Sequence, residues 1–249
     1  MKHLLATLLL GTALTTACNR AQPETATEPA APAPLPGPDL MALTDSGGVA
    51  ERLILAYGQQ YPASEVIMHT RLGDMRIRLY DDTPLHKANF LLLSRKGVFD
   101  ETVFHRVVKD FAIQGGNSNF RTIDMKEYHL KPEIRPEHFH KYGALAMARY
   151  DGAQNPGKLS SNNDFYIVQG KKMSAAEAKA SSSRPLTPEQ IKAYTTSGGT
   201  PGLDGEYTVF GEVVEGLEVI DKIANEPLDP YNWPKKDVCI KMEVVEPQK

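Results

Sequence analysis

Between residues 65 and 245 the chain falls into eight short runs of strand-forming residues, with two principal stretches of helical spacing. Glu65–Thr70 and Met75–Tyr80 flank the turn Arg71-Leu72-Gly73-Asp74, with Met75, Ile77 and Leu79 on one strand face. The remaining runs cover 103–108, 112–114, 144–148, 164–169, 207–214 and 238–245. Thr83 is placed to cap the first helix, with Pro84 at its first position and Gly97 closing it after Arg95-Lys96. The second helix spans 216–224, where Leu217, Ile220 and Ile223 recur on one face. Many short strands with few helices predict a mainly β fold, a closed antiparallel barrel.

Two segments stand outside this rhythm. Residues 39–64 read as a lead-in with one amphipathic helix near 48–59, carrying Val49, Leu53 and Tyr57. Residues 170–202 hold the helix former Ala175–Ala180 and then Thr187-Pro188-Glu189-Gln190, a capping box with proline at its first helical position. That stretch is read as a small helical insertion on a barrel loop.

The first 38 residues are an address and a tether. Met1-Lys2-His3 is a short basic start, Leu4–Leu10 a brief apolar core, and Leu14-Thr15-Thr16-Ala17-Cys18 runs small residues into a cysteine. Such an order describes a bacterial export signal over 1–17, and Cys18 resembles a lipobox cysteine whose thiol is lipidated. A plain secretory signal with a chance cysteine is the alternative. Residues 18–38 carry Pro23, Pro29, Pro32, Pro34, Pro36 and Pro38, which favour an extended spacer over a core. The expected location is therefore the cell envelope, on the periplasmic side or the surface, with membrane contact through the lipid alone. The folded domain is assigned to 65–247, and a monomer is expected. Cys239, in the apolar run 238–245, reads as an inert strand thiol.

Composition narrows the chemistry. A net charge of −3 leaves no basic field for nucleic acid. Two cysteines exclude a four-thiolate metal site. His138 and His140 flank Phe139 without a third ligand, so zinc is not expected. Trp233, the only tryptophan, reads as a loop anchor.

Three segments concentrate the remaining signal: 104–116, 143–149 leading to 164–168, and 203–216. Strand alternation puts Arg106 and Val108 on one face, opposite His105 and Val107; Phe111 and Gln114 follow across a bend. A permanently charged planar donor beside an apolar wall suits a peptide carbonyl next to an apolar side chain. None of these segments holds a nucleophile–base pair, a metal-ligand spacing or a phosphate loop. No metal and no cofactor is expected.

Together the segments resemble the cyclophilin family of peptidyl-prolyl cis–trans isomerases. The order also matches: two strands, a Thr-Pro helix with Asn89-Phe90, the Phe-His-Arg segment, the Leu-Asp-Gly segment, a helix and a last strand. The resemblance implies an eight-stranded closed barrel capped by two helices, with a peptide pocket on its outer face. It also implies X–Pro isomerisation in exported or envelope proteins, with proline-containing peptide segments as partners. Arg106 falls on the family's catalytic arginine, and Gln114 on the glutamine that positions it and the peptide. Phe111, Ala112, Tyr166 and Leu203 fall on the proline pocket, where the family usually has Phe, Met, Phe and Leu. Ala148 and Arg149 fall on the groove for the residue before proline. Asp164 replaces a second glutamine, Tyr207 a frequent histidine, and Gly202 a frequent tryptophan. His105, read as structural from its strand face, adjoins Arg106 and is kept with the substrate-contacting candidates. If Asp164 reaches Arg106, its carboxylate can pair with the guanidinium and either fix the fork in its working orientation or occupy donors the substrate needs; activity is expected to survive with a weakened apparent substrate affinity. The departures at Asp164 and Ala112 leave a rival class open, a barrel that binds peptides without turnover.

Overall fold

The computed structural model describes residues 35–100, 102–117, 123–150 and 152–247. The leader, Cys18 and the tether up to Pro34 lie outside the described residues. Eight strands form one antiparallel sheet: β1 (Glu65–Thr70), β2 (Gly73–Leu79), β3 (Phe104–Val108), β4 (Ala112–Gly115), β6 (Ala144–Met147), β8 (Phe165–Val168), β9 (Val209–Glu215) and β10 (Lys241–Val245). β5 (His129–Leu130) and β7 (Ser160–Ser161) form a separate short pair that sequence periodicity does not reveal.

The sheet runs β10-β1-β2-β9-β6-β8-β4-β3 and stays open, a curled half-barrel and not the closed barrel expected. Closure fails at the β3 edge. The run expected at 238–245 becomes a strand only from Lys241, and what precedes it crosses toward β3 through the isolated bridge Val103–Cys239. Farther along that edge, the Val107 N–H donates to the Asn232 carbonyl at 2.8 Å. The loop before β10, and not β10 itself, therefore covers the donors of β3, which removes an open pairing edge. Cys239 is exposed in this seam, which corrects its reading as a strand thiol within an apolar run.

Alternation along the strands decides where each side chain goes. Phe165 and Ile167 of β8, Leu145 and Met147 of β6, and Ile113 of β4 join the main core. Their neighbours Tyr166, Val168, Ala144, Ala146 and Ala112 form a second apolar cluster on the other face. Both faces are thus buried here, and the outer one holds the site.

Helix α1 (Val49–Gln60) packs on α2 (Pro84–Arg95), and a Cβ on Gly58 would stand 2.7 Å from Ala88 Cβ. Only glycine permits that approach. α2 departs from its expected cap. The Thr83 hydroxyl turns away to donate to the Tyr80 carbonyl at 3.2 Å. Glu133 caps instead, accepting from Leu85 N–H at 3.0 Å and His86 N–H at 2.9 Å. The insertion forms α3 (Ala175–Ser181) and α4 (Pro188–Thr196), and the expected capping box at Thr187 and Gln190 is present. The amphipathic α5 (Leu217–Ala224) packs near β2, β3 and β4.

Candidate active site

The hairpin β3–β4 brings Arg106 opposite Gln114. Between Phe104 and Arg106 the register shifts, so His105 is an extra residue, a β-bulge. The bulge breaks the strict alternation expected of this strand. His105 does not point away from the site: its Nε2 lies 3.7 Å from Asp164 Oδ1, and its ring centroid 6.1 Å from that of Trp233. The loop-anchor role of Trp233 is visible in its indole N–H, which donates to Asp237 Oδ1 at 2.9 Å.

Arg106 is exposed, and its Nη1 donates to Gln114 Oε1 at 3.4 Å. A guanidinium has five N–H donors, so most remain for a ligand. Gln114 Nε2 in turn donates to both oxygens of Asp164 at 3.0 Å. Asp164 therefore reaches Arg106 through Gln114, so the condition for a direct ion pair is not met. A carboxylate only accepts, so it must face the amide NH2 group, leaving the amide oxygen turned to Arg106. Burial pushes the Asp164 carboxyl above its ordinary value, against the opposing pull of Gln114, His105 and Arg106.

Beside this polar row lies an apolar surface. Ala112 and Tyr166 form its buried floor, and Phe111, Leu203, Tyr207 and Ala148 pack against it partly exposed. Tyr166 and Tyr207 meet edge-on, with centroids 5.9 Å apart and planes at 87°. The Arg149 guanidinium lies over the Tyr207 ring at 4.6 Å, and its Nε donates to the Glu206 carbonyl at 2.9 Å. A cleft of about 420 Å³ opens alongside, lined in part by Gln114, Asp164, Ala148, Arg149 and Tyr150. The structure thus gathers the expected site residues of the folded domain into one place: a charged donor row, an apolar seat and an adjoining groove.

Two buried polar groups escape sequence reasoning. His140, Asp204, Tyr166 and Tyr194 form a continuous chain of hydrogen bonds behind the apolar floor. In the sequence His140 stands only as one of two histidines lacking a third ligand. The second group is His86, whose Nδ1 donates to Glu133 Oε2 at 2.7 Å and whose Nε2 lies 3.0 Å from Ser160 Oγ. Serine, histidine and carboxylate in that order suggest acyl-transfer chemistry. Ser160, however, is 1% exposed, so no substrate can reach its hydroxyl, and the group acts as a structural clamp.

Comparison with known proteins identifies the family. The family model for cyclophilin type peptidyl-prolyl cis-trans isomerases matches residues 65–244. A Staphylococcus saprophyticus protein named as a peptidyl-prolyl cis-trans isomerase is 34% identical over 187 residues, covering 73% of this chain and 92% of that protein. A Staphylococcus haemolyticus protein of the same name is 36% identical over 191 residues, covering 73% of this chain and 91% of its own length. Among solved structures, a Cryptosporidium parvum cyclophilin superposes with a TM-score of 0.54 at 25% identity, covering 75% of this chain and 99% of that one. The same protein crystallised in the presence of the dipeptide Ala-Pro gives 0.53 at 25% identity, covering 74% and 99%. The chain belongs to the cyclophilin-type peptidyl-prolyl cis-trans isomerases and is an enzyme of that activity.

Proposed function

We propose that isomerisation takes place on the outer sheet face, with the proline ring seated on Phe111, Ala112, Tyr166 and Leu203 and Arg106 acting on the peptide bond. The observation that carries this reading is the single row Arg106–Gln114–Asp164 standing beside one apolar seat. Rotation about a peptide bond faces about 18–20 kcal/mol, because the nitrogen lone pair is delocalised into the carbonyl. At the twisted transition state that lone pair is localised and can accept a hydrogen bond. Arg106 can donate to it only once conjugation is broken, so the interaction favours the transition state over the ground state. One charge-assisted hydrogen bond contributes about 1.5–3 kcal/mol, or about one to two powers of ten in rate. The remainder comes from holding the chain before the proline partly twisted along the groove, while the seat holds the proline ring in ground and transition state alike.

The partners are proline-containing peptide segments, in line with the Ala-Pro dipeptide present with the structural relative. Arg106→Ala is expected to lower kcat/KM at least tenfold in a protease-coupled assay on a prolyl tetrapeptide. Its circular-dichroism spectrum should stay that of wild type, because Arg106 is exposed. Retention of half the activity would remove Arg106 from the chemistry.

We propose further that the substrates are exported or envelope proteins, the domain being held at a membrane by lipid on Cys18. The support is the order of basic start, apolar core, small residues, cysteine and proline-rich spacer. One acyl chain anchors only marginally, so the reading assumes the several chains of a bacterial lipoprotein. Cys18→Ser should move the protein from the membrane pellet to the soluble fraction. A mutant that stays in the pellet after a high-salt wash would rule out the lipid anchor.

A further inference from the structure

The 170–202 insertion reaches the back of the proline seat. Helices α3 and α4 close over a small apolar cluster of Phe139, Ala178 and Tyr194. The end of α3 abuts the turn that carries Leu203: a Cβ on Gly202 would stand 3.1 Å from the Ser181 carbonyl oxygen. Arg184, between the two helices, donates its Nε to the Asp204 carbonyl at 3.2 Å.

Asp204 follows Leu203 directly and is 3% exposed. Its carboxylate only accepts, which fixes the direction of every bond around it. Oδ1 receives the His140 backbone N–H at 2.9 Å and the His140 Nδ1–H at 3.0 Å. Oδ2 receives the Tyr194 hydroxyl of α4 at 2.6 Å. With its proton on Nδ1, His140 offers Nε2 as an acceptor, and the Tyr166 hydroxyl donates to it at 2.9 Å. Burial pushes the His140 imidazole below its ordinary pKa despite the pull of Asp204, which favours the neutral ring this pattern requires. The imidazole also lies nearly parallel to the Tyr166 ring, at 12° and 6.0 Å. One carboxylate thus ties together two walls of the seat, Leu203 through the chain and Tyr166 through His140. A buried network whose members are mutually satisfied rigidifies the side chains it joins.

The geometry points to His140, Asp204 and Tyr194 as positioning residues that set the shape of the proline seat from behind, making the insertion helix α4 a determinant of substrate affinity. The inference rests on the assignment of the seat to Phe111, Ala112, Tyr166 and Leu203. Removing the Tyr194 hydroxyl loosens Asp204 and, through it, the Tyr166 ring and Leu203. Ground state and transition state share that seat, so the loss is uniform binding, which raises KM and spares kcat.

The test measures KM and kcat of the full-length protein on a prolyl tetrapeptide, for Tyr194→Phe, Tyr166→Phe and the double variant. Each single variant is expected to raise KM about three- to tenfold with kcat within about twofold. In the double variant KM should rise no further than in Tyr166→Phe, because the relay is already cut. A wild-type KM in Tyr194→Phe, a loss confined to kcat, or an effect that adds in full to that of Tyr166→Phe overturns the inference. If Tyr194→Phe fails to fold, His140 carries the same question. Glutamine there can both donate to Asp204 and accept from Tyr166, so His140→Gln should stay within about twofold of wild type while His140→Ala raises KM. Equal KM in the two would overturn the relay. Phe111→Ala is run in parallel, because Phe111 packs on the seat itself. If its KM stays that of wild type the seat assignment itself falls, whereas a raised KM in Phe111→Ala beside a wild-type Tyr194→Phe removes only the relay.

Discussion

Gln114 donates its side-chain amide to both carboxylate oxygens of Asp164, at 3.0 Å each, and so stands between that carboxylate and Arg106. Had Asp164 paired with the guanidinium directly, it would have occupied donors that a peptide needs. With Gln114 interposed, the carboxylate does something else: it holds the amide so that its oxygen faces Arg106. The aspartate thereby orients the donor row from a position that resembles a glutamine site of the family.

That geometry sets the outcome of substitution. Asp164→Gln keeps an acceptor for Gln114 Nε2, so kcat/KM should stay within about threefold of wild type. Asp164→Ala leaves the amide free to turn, and kcat/KM should fall about ten- to a hundredfold, the scale of one lost charge-assisted hydrogen bond. Steady-state kinetics on a prolyl tetrapeptide read both. Equal activity in Asp164→Ala and wild type would show that Gln114 needs no holder.

Asp164 also gives a pH dependence of definite sign. Burial raises its folded pKa above the ordinary 3.8 despite the opposing pull of Gln114, His105 and Arg106. Between those two values the folded protein binds more protons than the unfolded chain, so stability falls as pH rises through the window. Asp164→Asn removes that titration and should melt higher than wild type at pH 7, with the difference shrinking as pH falls toward 3.8. Calorimetric scans at stepped pH would show it. A variant less stable than wild type at pH 7 would mean that the bonds to Gln114 outweigh desolvation.

How much of this is legible in the sequence depends on distance along the chain. Arg106, Phe111 and Gln114 sit on one hairpin, so strand spacing alone brings them together. Phe165 and Tyr166 announce opposite faces by simple alternation. The Thr187 capping box is local and forms as read. Spacing fails where the partner is remote. Thr83 has the right type and position to cap α2, yet the helix takes its cap from Glu133, forty-eight residues after Leu85, across a loop without periodicity.

The relay behind the seat is hidden for the same reason. Asp204 lies sixty-four residues from His140, and nothing in either segment's pattern names the other. Barrel closure is equally out of reach, because the apolar run 238–245 shows strand character without showing which neighbour each half meets. Its second half pairs with β1, while Cys239 in its first half bridges to Val103.

Glu133 supplies the opposite pH sign to Asp164. Burial pushes its carboxyl up, but the bond and charge of His86 and the backbone N–H groups of His86 and Leu85 outweigh that, so its folded pKa lies below the ordinary 4.5. The stability it contributes is present above 4.5 and is lost as pH falls through the lowered folded value. Three hydrogen bonds converge on this one side chain, at 3.0, 2.9 and 2.7 Å, and two of them close the start of α2. Glu133→Gln keeps the size but gives up the charge and one accepting oxygen, and should cost about 1.5–3 kcal/mol at pH 7. The deficit should narrow below pH 4.5, where the unfolded chain takes up the proton that the folded carboxylate still refuses. Urea unfolding at pH 7 and at about pH 3.5 separates the two contributions. Because Glu133 is remote from the donor row in its bonding, kcat/KM of the folded variant should match wild type. A variant as stable as wild type at pH 7, or one whose deficit is the same at both pH values, would show that the α2 start does not depend on this carboxylate.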